Sequence, residues 1–337
     1  MHYIGIDLHK QSITVCVVDQ QGQVQARTRL SCQQPERILA WFKPWIPFQA
    51  VIEATASYEW LWQLLEPLAD RLVLAHPGKM RIIAESTRKS DRYDARVLAE
   101  FLAMGMIPEA YRPSPRQRAH RRLVRHRVHL SKRIRRVKCK IRNILAEYNA
   151  DRKNLFTVNY HQQLAEVEVS EADRFVLSQL AEELAHCQVQ LGLLEKQLVE
   201  FAGSAPAAEA EARAVLQTIP WVGPVTVEAV LSELGDVRRF GSQKKACAYA
   251  GLVPGRRESA GKAKDLGITK EGSALLRWVL VEAAWRLVGR TRRWGSIMEA
   301  LSKRRGRRRA IVAVSRRLLC VMVAMMQSGR GYRPVAV

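Results

Sequence analysis

Acidic residues are in short supply in this sequence. Asp and Glu number 32 against 55 Lys and Arg, which leaves a formal net charge of +23 over 337 residues. So large an excess points to a polyanionic partner, nucleic acid or an acidic membrane surface, with a merely solvated basic surface as the bland alternative. Cysteine pairing is lacking too. Cys16, Cys32, Cys139, Cys187, Cys247 and Cys320 form no CxxC and stand at no zinc-ligand spacing to a histidine. That excludes a zinc ribbon and a disulfide framework and fits a reducing, cytosolic compartment. Several of these cysteines lie in apolar runs, where Cys behaves as a small hydrophobe. The first residues carry no basic stretch followed by an apolar one, so no secretory leader is expected. The most apolar late run, LLCVMVAMM, is too short to span a bilayer and follows Arg316 and Arg317, so no membrane is expected as a partner. There is no internal repeat.

What is present is a chain 47% apolar, long enough for two modest domains with real cores. Up to residue 112 strand and helix signals alternate. HYIGID, SITVCVVD and VQARTRL read as three strands, the second and third joined by a QQGQ turn. PERILAWFKPW reads as an amphipathic helix and FQAVIEAT as a strand. SYEWLWQLLEPLAD reads as a helix with Ser57 as its N-cap. RLVLAHPG is a last strand, and KMRIIAES and DRYDARVLAEFLAMG are helices. A three-strand antiparallel meander followed by βα units is the order of a ribonuclease-H-like fold, an α/β domain.

From 113 to 202 the pattern changes to two long helices. In the first, strongly basic helix Leu123, Leu130, Val137 and Ile144 recur every seven residues, with Ile134, Ile141 and Tyr148 four after. In the second, Leu177, Leu184, Leu191 and Leu198 hold one heptad position and Leu180, Cys187, Leu194 and Phe201 the other. Both are coiled-coil seams, able to pair with each other or with a second copy of the chain. Residues 203–212, GSAPAAEAEA, read as a linker or loose helix start. The division expected is therefore 1–112, an acidic α/β domain; 113–202, a coiled-coil region; and 203–337, a mostly helical domain.

Four carboxylates stand out against the basic background. Asp7 sits in the first strand and Glu53 in the fourth, where an unpaired acid is costly. Asp91 and Asp94 are spaced i, i+3, hence on one face of a helix. In a ribonuclease-H-like sheet the first and fourth strands are neighbours and the last helix crosses them, so the four acids can converge. Converging carboxylates repel unless a cation intervenes, and Mg²⁺ suits an all-oxygen ligand set. Each acid also has a plain reading: a strand-end turn former, a helix-start acid, a pair favoured by the helix dipole.

The loop GRRESAGKAKDLGITKEG sets Ser259 among Arg256, Arg257, Lys262 and Lys264. A serine hydroxyl beside clustered cations can attack a phosphodiester; a turn-capping serine in a phosphate-binding loop is the structural alternative. IPWVGPVTVEAVL resembles a helix–hairpin–helix turn whose Gly223 would admit a phosphate to backbone N–H groups, though a packing glycine explains it as well. Candidate phosphate contacts are Arg121, Arg125, Lys132, Arg135, Lys138 and Arg142 on the basic helix, together with Arg277, Arg307 and Arg308 further on.

Taken in order, IGIDLHK, VIEATASY, LAHPGKMRIIAESTRKSDRYDARVLAE, IPWVGPVTVEAVLSELGDVRRF, ACAYAGLVPGRRESAGK and ITKEGSALLRW resemble the insertion-sequence-110 transposase family, the DEDD-type recombinases of bacterial mobile elements. The resemblance spans nearly the whole chain. Two departures are small. Ser259 is followed by Ala260 and then Gly261, where the family often has the glycine directly, and Ser90 stands where threonine is common. The resemblance implies a RuvC-like N-terminal domain with Asp7, Glu53, Asp91 and Asp94 as a Mg²⁺-binding tetrad. It implies Ser259 as a nucleophile that becomes covalently linked to DNA, and a structured noncoding guide RNA that pairs with donor and target DNA. It implies work as a homo-oligomer, a dimer assembling to a tetramer, in which the acids of one subunit can meet Ser259 of another, and a cytoplasmic, nucleoid-associated setting. Two other readings stay open from the residues: a junction endonuclease that uses the acids alone, and a non-catalytic architectural nucleic-acid-binding protein.

Overall fold

A computed structural model of the protein describes residues 1–55, 57–83, 91–157, 159–259 and 262–333. It divides into two compact units, Met1–Arg112 and Pro113–Val337.

The first unit runs β1 (His2–Leu8), β2 (Ser12–Val18), β3 (Val24–Ser31), α1 (Pro35–Phe42), β4 (Phe48–Glu53), α2 (Tyr58–Leu65), β5 (Arg71–Ala75), α3 (Pro77–Ile83) and α4 (Asp91–Ala103). One five-stranded sheet has the order β3-β2-β1-β4-β5. The first three strands form an antiparallel meander, and β4 and β5 join parallel to β1. The turn between β2 and β3 is tied by Asp19, whose carboxylate accepts from the Gln21 and Gln23 amides at 2.9 Å. Strand alternation sorts the side chains. Ile4, Ile6, Ile13, Val15, Phe48, Ala50 and Ile52 go to one face, against Ile38, Phe42, Leu61 and Leu65 of α1 and α2. Val51, Val73, Cys16 and Val18 go to the other, against Ala95, Leu98, Ala99 and Leu102 of α4.

Gly5 sets how closely α4 lies on the sheet. A Cβ there would stand 2.0 Å from the Ala95 carbonyl oxygen and 2.5 Å from the Ala99 nitrogen, both backbone atoms. Only glycine at this point lets the helix backbone rest on the strand.

Helix ends in this unit differ from the sequence reading in instructive ways. α1 stops at Phe42 and continues only as a 3-10 turn, Lys43–Trp45, because Pro44 has no N–H to extend the helix. Ser57 does stand at the N-cap of α2, but its hydroxyl makes no capping hydrogen bond. Of the helix read over KMRIIAES, residues 84–86 lie outside the described residues, as does Ser90.

The second unit runs α5 (Pro115–Glu147), α6 (Tyr160–Glu166), α7 (Glu171–Gly203), α8 (Ala207–Gln217), α9 (Pro224–Leu234), α10 (Gln243–Tyr249), β6 (Pro254–Ser259), β7 (Lys262–Ile268), α11 (Ala274–Arg290), α12 (Arg292–Arg305) and α13 (Arg307–Ser328). α5 and α7 are 33 residues each and pair within the chain as a hairpin. Each opens on a true serine cap: Ser114 Oγ accepts from the Gln117 amide, and Ser170 Oγ from that of Asp173. Val137, Ile141 and Leu145 pack on Leu177, Leu180, Ala181 and Leu184, and Leu155 and Leu164 of the connector close the far end. The buried apolar residues of α5 are Val124, Val128, Leu130, Val137, Ile141 and Leu145, so Leu130, Val137 and Ile141 of the expected seam are inside, while Leu123, Ile134 and Ile144 are only partly buried and Tyr148 is exposed. A strict heptad therefore does not hold: a 3.6-residue helix drifts against a seven-residue repeat, and the seam follows the i, i+4 ridge.

At the near end Val124 and Leu198 join the core of the helical bundle, with Leu216, Val227, Leu234, Leu280, Leu287, Trp294, Val314, Leu318 and Met322. The segment read as a linker is a short break before α8 begins at Ala207. α13 is long and apolar enough by composition to cross a membrane, yet half of that apolar window is buried inside the unit. Val314, Leu318, Leu319, Met322 and Val323 are fully buried, which makes α13 the central helix of the core.

Replacing Gly5 with Ala is expected to push α4 off β1 and to destabilise the first unit by about 1–3 kcal/mol, the usual range for overpacking. Chemical denaturation of the variant measures this; an unchanged midpoint would mean that α4 is not seated as described.

Candidate active site and nucleic-acid interface

The acids on the sheet are placed by register. Ile6 of β1 pairs with Ile52 of β4, so Asp7 and Glu53 each stand one residue beyond that pair, on the two neighbouring parallel strands. Strands are spaced about 4.8 Å apart. By alternation both acids belong to the face that α4 covers. Asp7 is 8% exposed, and its Oδ2 lies 2.9 Å from Nε2 of His9. Across the antiparallel pair Asp7 is opposite Thr14. Among the described residues the hydroxyl oxygens of Thr14 and Thr55 are buried without a hydrogen-bond partner. Glu53 is half-buried, and Asp94 is exposed in the first turn of α4. Asp94 shares a helix face with Leu98, four residues on, which packs on the sheet. Asp91 opens the same helix, but its side chain lies outside the described ones. Among the described residues no group of three or more His, Cys, Asp or Glu is arranged to hold a metal. Asp7 and Glu53 are thus brought side by side, while Asp94 forms no such cluster with them.

The serine stands on a two-stranded ribbon. β6 and β7 are antiparallel, with Ser259 opposite Lys262 and Arg257 opposite Lys264. Arg256 pairs with Asp265 and Glu258 with Ala263. The side chains of 256–259 and 262–265, and the residues Ala260 and Gly261 between the strands, lie outside what is described.

The base of the ribbon is fully described and closely fastened. Gly251 and Gly272 both have positive φ, at 67° and 77°. A Cβ on Gly251 would meet the Glu271 carbonyl oxygen at 2.0 Å, and one on Gly272 the Tyr249 carbonyl oxygen at 2.0 Å. Arg277 Nη1 donates to the carbonyls of Ala250, Glu271 and Gly272 at 3.1, 2.9 and 3.2 Å. Arg277 is therefore engaged in closing this junction.

Other candidate cations have partners within the unit. Arg121 donates to the Ser232 and Glu233 carbonyls and to the Tyr249 hydroxyl. Arg125 makes a two-pronged bond to Glu233, at 2.9 and 3.0 Å. Arg142 reaches Asp151 and the Lys153 carbonyl, Lys138 lies over the Phe156 ring, and Arg307 lies over Trp285. Lys132, Arg135 and Arg308 are exposed. Gly223 is the N-cap of α9, preceded by the half-exposed Trp221 with Arg290 over its ring.

The acids that hold the foot of α5 escape a reading by motif. Glu233 is 2% exposed, and Glu228 lies between His120 and Arg213. Burial pushes the Glu228 carboxyl up, but hydrogen bonds from His120 and Arg213 outweigh it and hold it at about 2. Glu209 is held below its ordinary value in the same way, against burial, by Arg116 and Arg213. The available sequence signal was acids recurring in an apolar helix, VTVEAVLSEL, each needing a buried cation. His9 was also missed; its spacing of two from Asp7 on the strand end was the signal.

Comparison with known proteins gives this architecture a class. A DEDD-type IS110 transposase family matches residues 4–150, and the "Transposase IS116/IS110/IS902 family" matches residues 213–298. The transposase for insertion sequence element IS1111A of Coxiella burnetii is 26% identical over 340 residues, covering 98% of this chain and 91% of that protein. A probable family 20 transposase of Pseudomonas aeruginosa is 24% identical, covering 98% of both chains. The pilin gene-inverting protein of Moraxella bovis is 22% identical over 98% of this chain and 97% of its own. The class is therefore that of DNA-rearranging enzymes, and DNA is the substrate. Within it, the chain belongs to the IS110 family of transposases. Its DEDD-type domain suggests divalent-metal use.

The depressed Glu228 carboxyl has a pH signature. Its folded value, about 2, lies below the ordinary 4.5, so its stabilising contribution is complete above pH 4.5 and is lost as pH falls towards 2. Glu228→Gln is expected to lower the melting temperature at neutral pH and to flatten the acid loss across that window. Thermal melts of both proteins at stepped pH check it; parallel curves for the two would contradict it.

Proposed function

We propose that this chain is an RNA-guided recombinase that cuts and rejoins donor and target DNA through a phosphoserine link on Ser259, served by a Mg²⁺ site of Asp7, Glu53, Asp91 and Asp94. The observation that supports this most is the register of the ribbon, which pairs Ser259 with Lys262 and, two residues back, Arg257 with Lys264. Like charges directly opposite one another destabilise a ribbon unless an anion lies across them. A phosphodiester is such an anion.

The residues on the sheet fit a hard cation. Asp7 and Glu53 offer carboxylate oxygens on adjacent strands, and the buried hydroxyls of Thr14 and Thr55, without partners among the described residues, suit a hydrated ion. Asp7 and Glu53 would hold it with Asp91 and Asp94. Bound there, Mg²⁺ would supply charge neutralisation at the phosphate and polarisation of its oxygens.

The chain's own part is nucleophilic exchange. Ser259 Oγ bonds to phosphorus as the bond to a sugar oxygen breaks, and the serine proton ends on the released sugar hydroxyl. A hydroxyl of the other DNA then attacks the phosphoserine, the Oγ–phosphorus bond breaks, and Ser259 regains a proton. One phosphate ester replaces another at each step, so no energy source is required. Arg257, Lys262 and Lys264 would offset the charge that develops on phosphorus oxygens.

The charge of +23 suits two polyanions at once, DNA and a guide RNA. In that division the RNA reads sequence and the protein reads backbone and shape. We assign residues 1–112 to the acidic site, 113–202 to assembly and nucleic-acid holding, and 203–337 to the serine chemistry. Assembly of several copies is part of the reading.

Two experiments test it. Incubated with Mg²⁺ and element-end DNA, the protein is expected to form an adduct stable to denaturation that is absent in Ser259→Ala and in Asp7→Ala. Full recombination by Ser259→Ala would sink the serine chemistry, and cleavage by Ser259→Ala without any adduct would favour hydrolysis by the acids alone. Purified from its host, the protein is expected to carry one discrete RNA transcribed beside its own gene; a random RNA population would remove the guided part and leave the recombinase.

A further inference from the structure

Cys247 and Cys320 play no part in the chemistry above, and nothing in the sequence pairs them. They are 73 residues apart, on α10 and α13, and packing brings their sulfurs to 3.4 Å. Cys247 is fully buried and Cys320 is half-buried. Cys247 Sγ also lies 3.7 Å from the carbonyl of Arg316, one helical turn before Cys320. The other four cysteines are free as well, and Cys139 is the exposed one among them.

We propose that Cys247 and Cys320 are a peroxide-oxidisable thiol pair, which closes reversibly to a disulfide between α10 and α13. The geometry needs little change. A disulfide brings sulfurs to about 2.05 Å, and both side chains already point into one gap between packed helices. The roles follow from access: Cys320 has an exposed edge and meets the oxidant, and the buried Cys247 resolves. The Cys247 hydrogen bond holds the Cys320 thiol down at about 6 against its burial, with Arg316 and Arg317 adding to the effect. The Cys247 thiol is pushed well up, first by that same bond and then by burial. The contact thus favours the thiolate on Cys320 and the proton on Cys247.

The steps balance. The Cys320 thiolate attacks one peroxide oxygen, the O–O bond breaks, and hydroxide leaves and takes up a proton, giving a sulfenic acid and water. Cys247 sulfur then attacks Cys320 sulfur, the S–O bond breaks, and the hydroxide leaves as water with the Cys247 proton. Two thiols are oxidised and one peroxide is reduced to two waters. Such a bond would fasten the helix that leads into the ribbon, since the Leu252 amide donates to the Cys247 carbonyl and β6 begins two residues later. Cytosolic disulfides of this kind are characteristically transient and redox-sensing. The inference rests on the packing of α10 and α13 alone and stands apart from the recombinase reading.

The test treats the full-length protein with hydrogen peroxide and maps peptides without reduction. A linked Cys247–Cys320 peptide pair is expected, reversed by dithiothreitol and absent in Cys247→Ser, where a dimedone adduct collects on Cys320 instead. Sulfinic acid on Cys320 beside a free Cys247 thiol would overturn the pairing. On the unmodified protein, iodoacetamide labelling of Cys320 is expected to rise with a midpoint near pH 6. A midpoint near the ordinary 9.0 would overturn the assignment of Cys320 as the attacking sulfur.

Discussion

Repulsion among 55 cationic side chains is the constraint this fold has to satisfy, with only 32 acids to offset it. The second unit places its acids where cations must be buried. Arg116, Arg121, Arg125 and Arg213 all converge on the foot of the α5–α7 hairpin, and Glu209, Glu228 and Glu233 meet them there. A buried charge without a partner is destabilising by several kcal/mol, so these acids cannot be exchanged for neutral residues one at a time. Further along α5 the acids thin out. Arg133 and Arg127 still reach Glu183 and Glu195 on α7, while Lys132 and Arg135 stay in solvent. The same helix is thus a fastening at one end and a free positive surface towards the other.

The first unit poses the opposite problem. Asp7 and Glu53 set two negative groups side by side at the end of a parallel strand pair. Arginines of the same unit pair with other acids: Arg112 bridges Glu59 and Glu66 over the Trp62 ring, and Arg71 meets Glu109. Beside the two strand-end acids stand His9, 2.9 Å from the Asp7 carboxylate, and Thr14, opposite Asp7 across the antiparallel pair.

Much of this was legible in the sequence where one residue type answered to one physical demand. The meander and βα order is written in alternating apolar residues, and the Asp7/Glu53 rung follows once β1 and β4 are neighbours. The seam on α5 was less legible, because seven-residue spacing and the i, i+4 ridge share Leu130, Val137 and Ile141 and diverge towards the helix ends, where Val124 and Leu145 are buried in place of Leu123 and Ile144. Arg121, Arg125 and Arg277 look like phosphate contacts in a basic sequence. Their carbonyl and carboxylate partners lie from five to more than a hundred residues away, so no local pattern announces them. The sulfur pair is invisible for the same reason.

Distance in sequence is also what explains two of the segments that carry the family resemblance. ACAYAGLVPG and ITKEGSALLRW flank the serine ribbon, and the fold brings them into backbone contact beneath it. Gly251 lies against Glu271 and Gly272 against Tyr249, each so close that a Cβ would overlap a carbonyl oxygen. Such an approach crowds three carbonyls together, and Arg277 supplies the positive charge that lets them stay there. The ribbon is then closed at its root by Lys270 donating to Gly251 and Thr269 to Val253. The glycines and Arg277 are therefore what fastens the root of the ribbon on which Ser259 stands.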